Sequence, residues 1–218
     1  NHLSAFCPTV NRQMKHPKFF QNFSQKHLSP KELAENYTMK MIEQLRTRWH
    51  EKALKKDLPA KMARHSMSLE EAESVGILFD GTEPEEREIV LDYAEKLKRE
   101  GKKVKLLAFF NNSLDSGNFT FWHFNRKQLD WSLRPKIREA EEFAGQRFDL
   151  LLNLSQKAIA PLEYIAARSK ATFRVGPATD KTICYDLMID LSGQQSNLKA
   201  FLQQVIFYLK KMRPSVTV

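Results

Sequence analysis

From residue 69 onward, short apolar runs of strand length alternate with segments of helical periodicity. The first run is Ser74–Asp80 and the second is Lys103–Phe110. Between them, the apolar residues Ile89, Tyr93 and Leu97 recur at every fourth position, which is the spacing of one face of an α-helix. A strand, a helix and a strand in this order predict a βαβ unit with a right-handed crossover.

The alternation continues towards the end of the chain. Further strands are predicted at residues 119–124, 148–154, 171–175 and 185–191, and further helices at residues 138–145, 161–167 and 198–212. Buried strands that alternate with helices are typical of a parallel sheet covered on both faces. We therefore expect an α/β fold, in which residues 69–218 form a three-layer Rossmann-like domain around a mostly parallel sheet of five or six strands.

The segment before this domain has a different pattern and predicts a basic, amphipathic helical extension over residues 29–68. Ser29 and Pro30 suit the N-cap and the first position of a helix, and no helix-breaking residue follows until Pro59. Apolar side chains recur along this helix and form a seam of four residues: Ile42, Leu45, Trp49 and Ala53. If the helix packs on the second domain, this seam is the surface expected to face it.

The chain has a net charge of +9, and almost all of this excess lies in its first third. Residues 1–68 hold thirteen Lys and Arg against five Asp and Glu, whereas the rest is nearly balanced. This shift places the domain boundary near Ser68. Residues 1–28 show no sustained periodicity and are predicted to be a flexible basic arm. The expected organisation is therefore an arm at 1–28, a helical extension at 29–68 and the α/β domain at 69–218.

A segregated basic segment indicates a polyanionic partner, because lysine and arginine bind phosphate backbones. The side chains expected to contact RNA are Lys40, Arg46, Arg48, Lys52, Lys55, Lys56, Lys61 and Arg64. We therefore expect a non-catalytic protein that binds RNA or associates with a ribonucleoprotein such as the ribosome. Two alternatives stay open: the cations form only a solvated face, or the extension docks a protein partner through Ile42, Leu45 and Trp49.

A second candidate site lies where the predicted parallel strands end, because ligands bind beyond the carboxyl ends of such strands. The polar side chains at these ends are Asp80, Thr82, Asn111, Asn112 and Ser155. Convergence of these side chains in a crevice would indicate an enzyme that binds a nucleotide or a phosphosugar. The structural alternative is an Asp-Gly turn after Asp80, with Thr82 capping the next helix.

Several classes of protein and site are disfavoured. The chain lacks the apolar run of about 18 residues that a membrane span needs, so we expect no integral membrane association. Cys7 and Cys184 stand far apart without zinc-ligand spacing, which favours a reducing, cytoplasmic setting. The usual glycine-rich phosphate loops and hydrolase motifs are missing, so we expect no metal, no cofactor and no catalytic residue.

Four segments of the chain, taken together, resemble a known family. They are residues 70–80, 148–155, 164–171 and 185–190. The family is an uncharacterised bacterial domain-of-unknown-function family of small Rossmann-like α/β proteins with a basic N-terminal helix, and the resemblance covers residues 40–212. It implies an α/β fold behind a basic helix, and it implies no established activity and no catalytic residues.

Overall fold

The computed structural model describes residues 30–58, 64–112, 117, 119–190 and 197–212, with side chains from residue 36 on. The α-helices in these ranges are α1 (Pro30–Lys56), α2 (Pro84–Arg99), α3 (Arg138–Gly145), α4 (Ala160–Arg168) and α5 (Leu198–Lys211). The strands are β1 (Ser74–Asp80), β2 (Lys103–Phe110), β3 (Trp122–Asn125), β4 (Leu150–Asn153), β5 (Phe173–Pro177) and β6 (Leu187–Ile189).

The six strands form one sheet in the order β3-β2-β1-β4-β5-β6, and every neighbouring pair is parallel. The chain first builds outwards from β1 to β3 and then crosses to the other side of β1 to add β4. The register places Ile77 of β1 beside Leu106 of β2 and Leu152 of β4. This is the strand order of a doubly wound Rossmann sheet. The predicted α/β architecture is confirmed, with six strands that are all parallel.

The sheet is covered on both faces, and β1 shows how its side chains divide between them. Ile77 and Phe79 pack with α2 and α5 in one core, while Leu78 between them packs with α3 and α4 in the other. All three side chains are fully buried. Burial of a Leu, Ile or Phe stabilises a fold by about 1.5–3 kcal/mol. The two apolar cores therefore account for how the three layers hold together.

Two strands begin later than predicted, because polar or aromatic residues just before them make contacts outside the sheet ladder. The strand predicted from residue 148 begins at Leu150, since the Asp149 carboxylate accepts hydrogen bonds from the Ser74 backbone and hydroxyl at 2.8 Å. The strand predicted at residues 185–191 is the shorter β6, because the Tyr185 ring packs against Gly176 before the strand begins. A Cβ atom at Gly176 would lie 2.5 Å from this ring, so this close approach requires glycine.

The chain divides into two compact units between Lys40 and Met41. The described part of the first unit is the segment of α1 up to Lys40. The second unit contains the rest of α1 and the whole sheet. The arm predicted at residues 1–28 lies outside the described residues, and the domain boundary near Ser68 stays a prediction.

Within the second unit, α1 packs on the α/β body through a face different from its apolar seam. His50 and Leu54 are 1% and 2% exposed, whereas Leu45 and Trp49 of the seam are 46% and 54% exposed. The expectation that the seam faces the body is therefore wrong. The physical reason is that the body offers hydrogen-bond partners to polar residues of α1, which a hydrophobic pattern does not reveal.

Candidate functional site

The docked face of α1 is held by hydrogen bonds to distant parts of the body. His50 Nδ1 lies 2.8 Å from the Ser132 carbonyl oxygen. Asp57, just beyond the end of α1, accepts hydrogen bonds from the Tyr164 hydroxyl at 2.7 Å and from the Arg134 guanidinium at 3.0 Å. The bond from Tyr164, followed by the bond from Arg134, lowers the pKa of the Asp57 carboxyl. The second half of α1 is therefore fixed on the body.

Away from this docked face, α1 presents a basic stripe with an aromatic border. The stripe consists of Arg48, Lys52, Lys55 and Lys56, which a helix of about 3.6 residues per turn aligns on one side. All four are exposed, and none forms an ion pair with a carboxylate of the described residues. Trp49 borders them, and Lys52 Nζ lies 5.8 Å from the centre of its ring. We call these five residues the outer α1 face.

A second exposed aromatic side chain contacts the same helix. Trp131 is 55% exposed and precedes Ser132, the residue that binds His50. Arg46 Nε donates to the Trp131 carbonyl oxygen at 3.4 Å, and its guanidinium carbon lies 5.6 Å from the centre of the Trp131 ring. Exposed rings beside cations are typical of surfaces that bind single-stranded nucleic acids, where bases stack and phosphates pair with the cations.

The remaining predicted RNA-binding residues are placed differently. Lys40 is exposed and ends the first unit, and Lys61 lies outside the described residues. Arg64 makes internal contacts, because its guanidinium donates to the carbonyl oxygens of Ala171 at 2.7 Å and Ser169 at 3.1 Å. The structure therefore brings together the four cations of the outer α1 face, whereas the half-buried Arg64 makes its contacts within the fold.

Arg64 belongs to a small cluster around a buried arginine. The Arg174 side chain is 7% exposed and donates to both carboxylate oxygens of Asp186, at 3.0 and 3.1 Å, and to the Ile183 carbonyl at 2.9 Å. Arg64 lies 3.9 Å from the same carboxylate. Burial, followed by the charge of Arg174, lowers the pKa of Arg64. We call Arg64, Arg174 and Asp186 the Arg174 cluster.

A cavity of about 700 Å³ opens at the carboxyl ends of β1, β2 and β4. Because β1 and β4 belong to the two halves of the sheet, this is the switch point at which doubly wound folds bind ligands. The lining residues are Asp80, Thr82, Glu83, Glu86, Asn111, Ser155, Gln156, Lys157, Ala158 and Ile159. Four of the five predicted pocket residues therefore lie together. Asn112 is not among the lining residues, and its carbonyl accepts a hydrogen bond from Arg126 N at 3.0 Å.

Hydrogen bonds connect three of the lining residues across the ends of two strands. Asp80 Oδ1 accepts from the backbone and hydroxyl of Thr82. The Thr82 hydroxyl oxygen also accepts from the backbone N–H of Asn111 at 2.8 Å, which joins β1 to β2. The expectation that Thr82 caps α2 is wrong. Glu83 occupies the N-cap position without a side-chain capping bond. Thr82 lies one residue earlier, and its hydroxyl links the ends of β1 and β2 instead.

The charge of the cavity comes largely from two residues that the sequence analysis missed. Glu83 and Glu86 add two carboxylates to that of Asp80, against one cation, Lys157. Burial, followed by the negative charge of Asp80, raises the pKa of Glu86. The signal available in the sequence was their spacing of three residues at the start of a helix that follows Asp80, which puts both on one face.

The start of α2 does not suit a phosphate group. Phosphates bind at helix N-termini through free backbone N–H groups and the positive end of the helix dipole. Here the helix begins with Pro84, which has no N–H, and it carries Glu85 and Glu86 in its first turn. Over the ranges that the structure describes, no group of three or more His, Cys, Asp or Glu side chains is arranged to hold a metal ion.

The parallel sheet, its two covered faces and the switch-point cavity define a doubly wound α/β protein with a helix at its N-terminus. Residues 46–212 match a family of unknown function, DUF6913, and the chain belongs to this family. The resemblance to a family of unknown function is thereby confirmed. Neither a curated protein nor a solved structure matches the chain. Among the described helices, none is long and apolar enough to cross a membrane.

Proposed function

We propose that this protein binds RNA through the outer α1 face and does not catalyse a reaction. The observation that carries the proposal is the stripe of four exposed cations that no described carboxylate neutralises, with Trp49 at its border. Unpaired surface cations attract a polyanion, and releasing the counterions of its phosphates favours binding.

The rigidity of the helix supports this proposal. His50, Leu54 and Asp57 fix the second half of α1 on the body, so the basic stripe is already arranged before a ligand arrives. A prearranged surface loses less conformational entropy on binding than a mobile tail. At a rise of about 1.5 Å per residue, Arg48 to Lys55 spans about 10 Å. This length suits contact with a few consecutive phosphates.

The exposed aromatic rings favour single-stranded RNA or RNA loops over a regular duplex. Trp49 and Trp131 are both more than half exposed. Unpaired bases stack on such rings, whereas the bases of an A-form duplex are stacked on each other and are hard to reach in its deep, narrow major groove. We therefore expect unpaired RNA to bind more tightly than duplex RNA of equal length.

The proposal includes a reducing, cytoplasmic setting in a bacterium and association with a ribonucleoprotein such as the ribosome. Cys184, the free cysteine of the described residues, is buried, and burial raises the pKa of its thiol to about 12. A protonated, buried thiol suits a compartment where cysteines stay reduced. The alternative of an enzyme for nucleotides or phosphosugars gains no support from the cavity, because its carboxylates repel phosphate.

The test is the binding of a labelled single-stranded RNA to the full chain, measured by fluorescence anisotropy at several salt concentrations. With four phosphate contacts, the logarithm of the association constant should fall against the logarithm of salt concentration with a slope of about −3. The triple variant Arg48→Glu, Lys52→Glu, Lys55→Glu should bind on the order of 100-fold more weakly.

The matched control carries the same change of net charge elsewhere on the surface. Lys103→Glu, Arg147→Glu and Lys170→Glu replace three exposed cations outside α1. If this control loses as much affinity as the α1 variant, binding depends on net charge alone and the proposal is wrong. A partner captured equally with and without ribonuclease, and lost on Ile42→Ser and Leu45→Ser, would instead show that α1 docks a protein.

A further inference from the structure

The cavity at the switch point has the features of a ligand site that is separate from the outer α1 face. Its volume of about 700 Å³ lies within the range of small-molecule sites. Ser155 lines it and is 2% exposed, and the Ser155 hydroxyl oxygen has no hydrogen-bond partner among the described residues. A buried hydroxyl without a partner is costly unless a ligand or water completes its hydrogen bonds.

The charge of the lining selects the kind of ligand. Asp80, Glu83 and Glu86 supply three carboxylates, and Lys157 supplies one cation. Asp80 uses one carboxylate oxygen for Thr82, and no described residue donates to the other. None of the three acids forms an ion pair with a described cation. The cavity therefore attracts cations and repels phosphates.

The distribution of these carboxylates distinguishes an organic cation from a metal ion. In the described part of the chain, no three acidic or other ligating side chains converge as a metal site requires. The negative charge is instead spread along a cavity that also has apolar wall from Ala158 and Ile159. A ligand that complements such a lining has more than one positive centre, with apolar spacers between them.

We propose that this cavity binds an aliphatic diamine or polyamine. Its ammonium groups pair with Asp80, Glu83 and Glu86, and its methylene groups pack on Ile159. The buried Ser155 hydroxyl accepts a further hydrogen bond from an ammonium group. This site is independent of the proposed RNA binding, and either proposal stands if the other fails.

The overall positive charge of the protein opposes non-specific binding of a polyamine. A polyamine is weakly attracted to acidic surfaces in general, but this chain has a net charge of +9, so the long-range field repels it. Measurable affinity must therefore come from a local concentration of carboxylates. Non-specific association is correspondingly easy to recognise, because it would not depend on which carboxylate is removed.

The experiment is isothermal titration calorimetry of spermidine into the full chain, without RNA. Asp80→Asn and Glu86→Gln each remove one charge from the lining, and Asp80→Asn keeps an oxygen that can accept from Thr82. Each should weaken binding by about 10- to 100-fold, as expected for a charge-assisted hydrogen bond. The matched control is Glu88→Gln, an exposed carboxylate of α2 outside the lining, which should bind like the wild type.

One variant is expected to bind spermidine more tightly than the wild type, and misfolding cannot produce such a gain. Lys157→Gln removes the single cation of the lining and should bind spermidine several-fold more tightly. The proposal is overturned if spermidine gives no binding to the wild type, if Glu88→Gln weakens binding as much as Glu86→Gln does, or if Lys157→Gln weakens it. Equal binding of hexane-1,6-diol, which has the spacer without the charges, would also overturn it.

Discussion

The outer α1 face and the Arg174 cluster are built from the same kind of side chain, and the fold uses them in opposite ways. On the outer face, Arg48 and its neighbours are exposed without a carboxylate partner. In the cluster, Arg174 is buried and donates to a carboxylate and to three carbonyl groups. A count of charges treats the two regions alike, although an arginine satisfied inside the fold adds nothing to a surface that attracts phosphate.

Removing the buried arginine should have the largest effect. Arg174→Met leaves the Asp186 carboxylate without its closest cation and removes three hydrogen bonds to carbonyl groups. Losing one partner of a buried ion pair costs about 3–5 kcal/mol. We expect the free energy of unfolding, measured by urea titration with circular dichroism, to fall by this amount. A loss below about 1 kcal/mol would show that the cluster does not stabilise the fold.

A pair of single substitutions then separates the two regions by function. Arg64→Ala removes two hydrogen bonds to carbonyls and should lower the free energy of unfolding by about 1–3 kcal/mol, with RNA affinity unchanged. Arg48→Ala removes an exposed side chain and should change stability by less than about 0.5 kcal/mol while it weakens RNA binding. Urea titration and fluorescence anisotropy on both variants measure the two effects. If Arg64→Ala weakened RNA binding and Arg48→Ala did not, Arg64 would be part of the RNA-binding surface.

The smallest expected effect concerns the docking of α1 and its dependence on pH. Burial lowers the pKa of His50, against the hydrogen bond to the Ser132 carbonyl, which raises it. His50 therefore takes up a proton less readily in the folded protein than in the unfolded chain, where histidine is protonated near pH 6.5. Stability should be unaffected by His50 above that pH. It should fall, by at most about 1.4 kcal/mol per pH unit, as the pH drops below 6.5.

This pH effect is measured as the free energy of unfolding in urea at pH 7.5 and pH 5.5. Replacing the buried histidine, in His50→Phe, should reduce the difference between the two values. Replacing the exposed His65, in His65→Gln, should leave the difference as in the wild type. An unchanged difference in His50→Phe would show that other groups cause it, and that α1 docks without a contribution from neutral His50.

The fold was predictable because the patterns that indicate it lie within short stretches of the sequence. The continuous apolar strands β1 and β2, and the helical period between them, identify a parallel α/β sheet without knowledge of any distant contact. The ends of β4 and β6 were not predictable in this way. Asp149 binds Ser74, and Tyr185 packs on Gly176, and neither contact is visible in the sequence around the strand itself.

The candidate sites were predictable only in part, for the same reason. The strand order brings the ends of β1, β2 and β4 together, so Asp80, Thr82, Asn111 and Ser155 were found from strand ends alone. The docked face of α1 was missed, because an apolar seam was the strongest signal in that helix. The partners that decide its orientation are a carbonyl, a hydroxyl and a guanidinium far along the chain.

The two border strands of the sheet have a bearing on how the protein behaves at high concentration. β3 has four residues and β6 has three, so each border exposes only a short row of unpaired backbone groups. A strand from another copy of the chain that paired with β3 or β6 would form few hydrogen bonds. The brevity of these strands thus guards the native protein against aggregation through its own sheet.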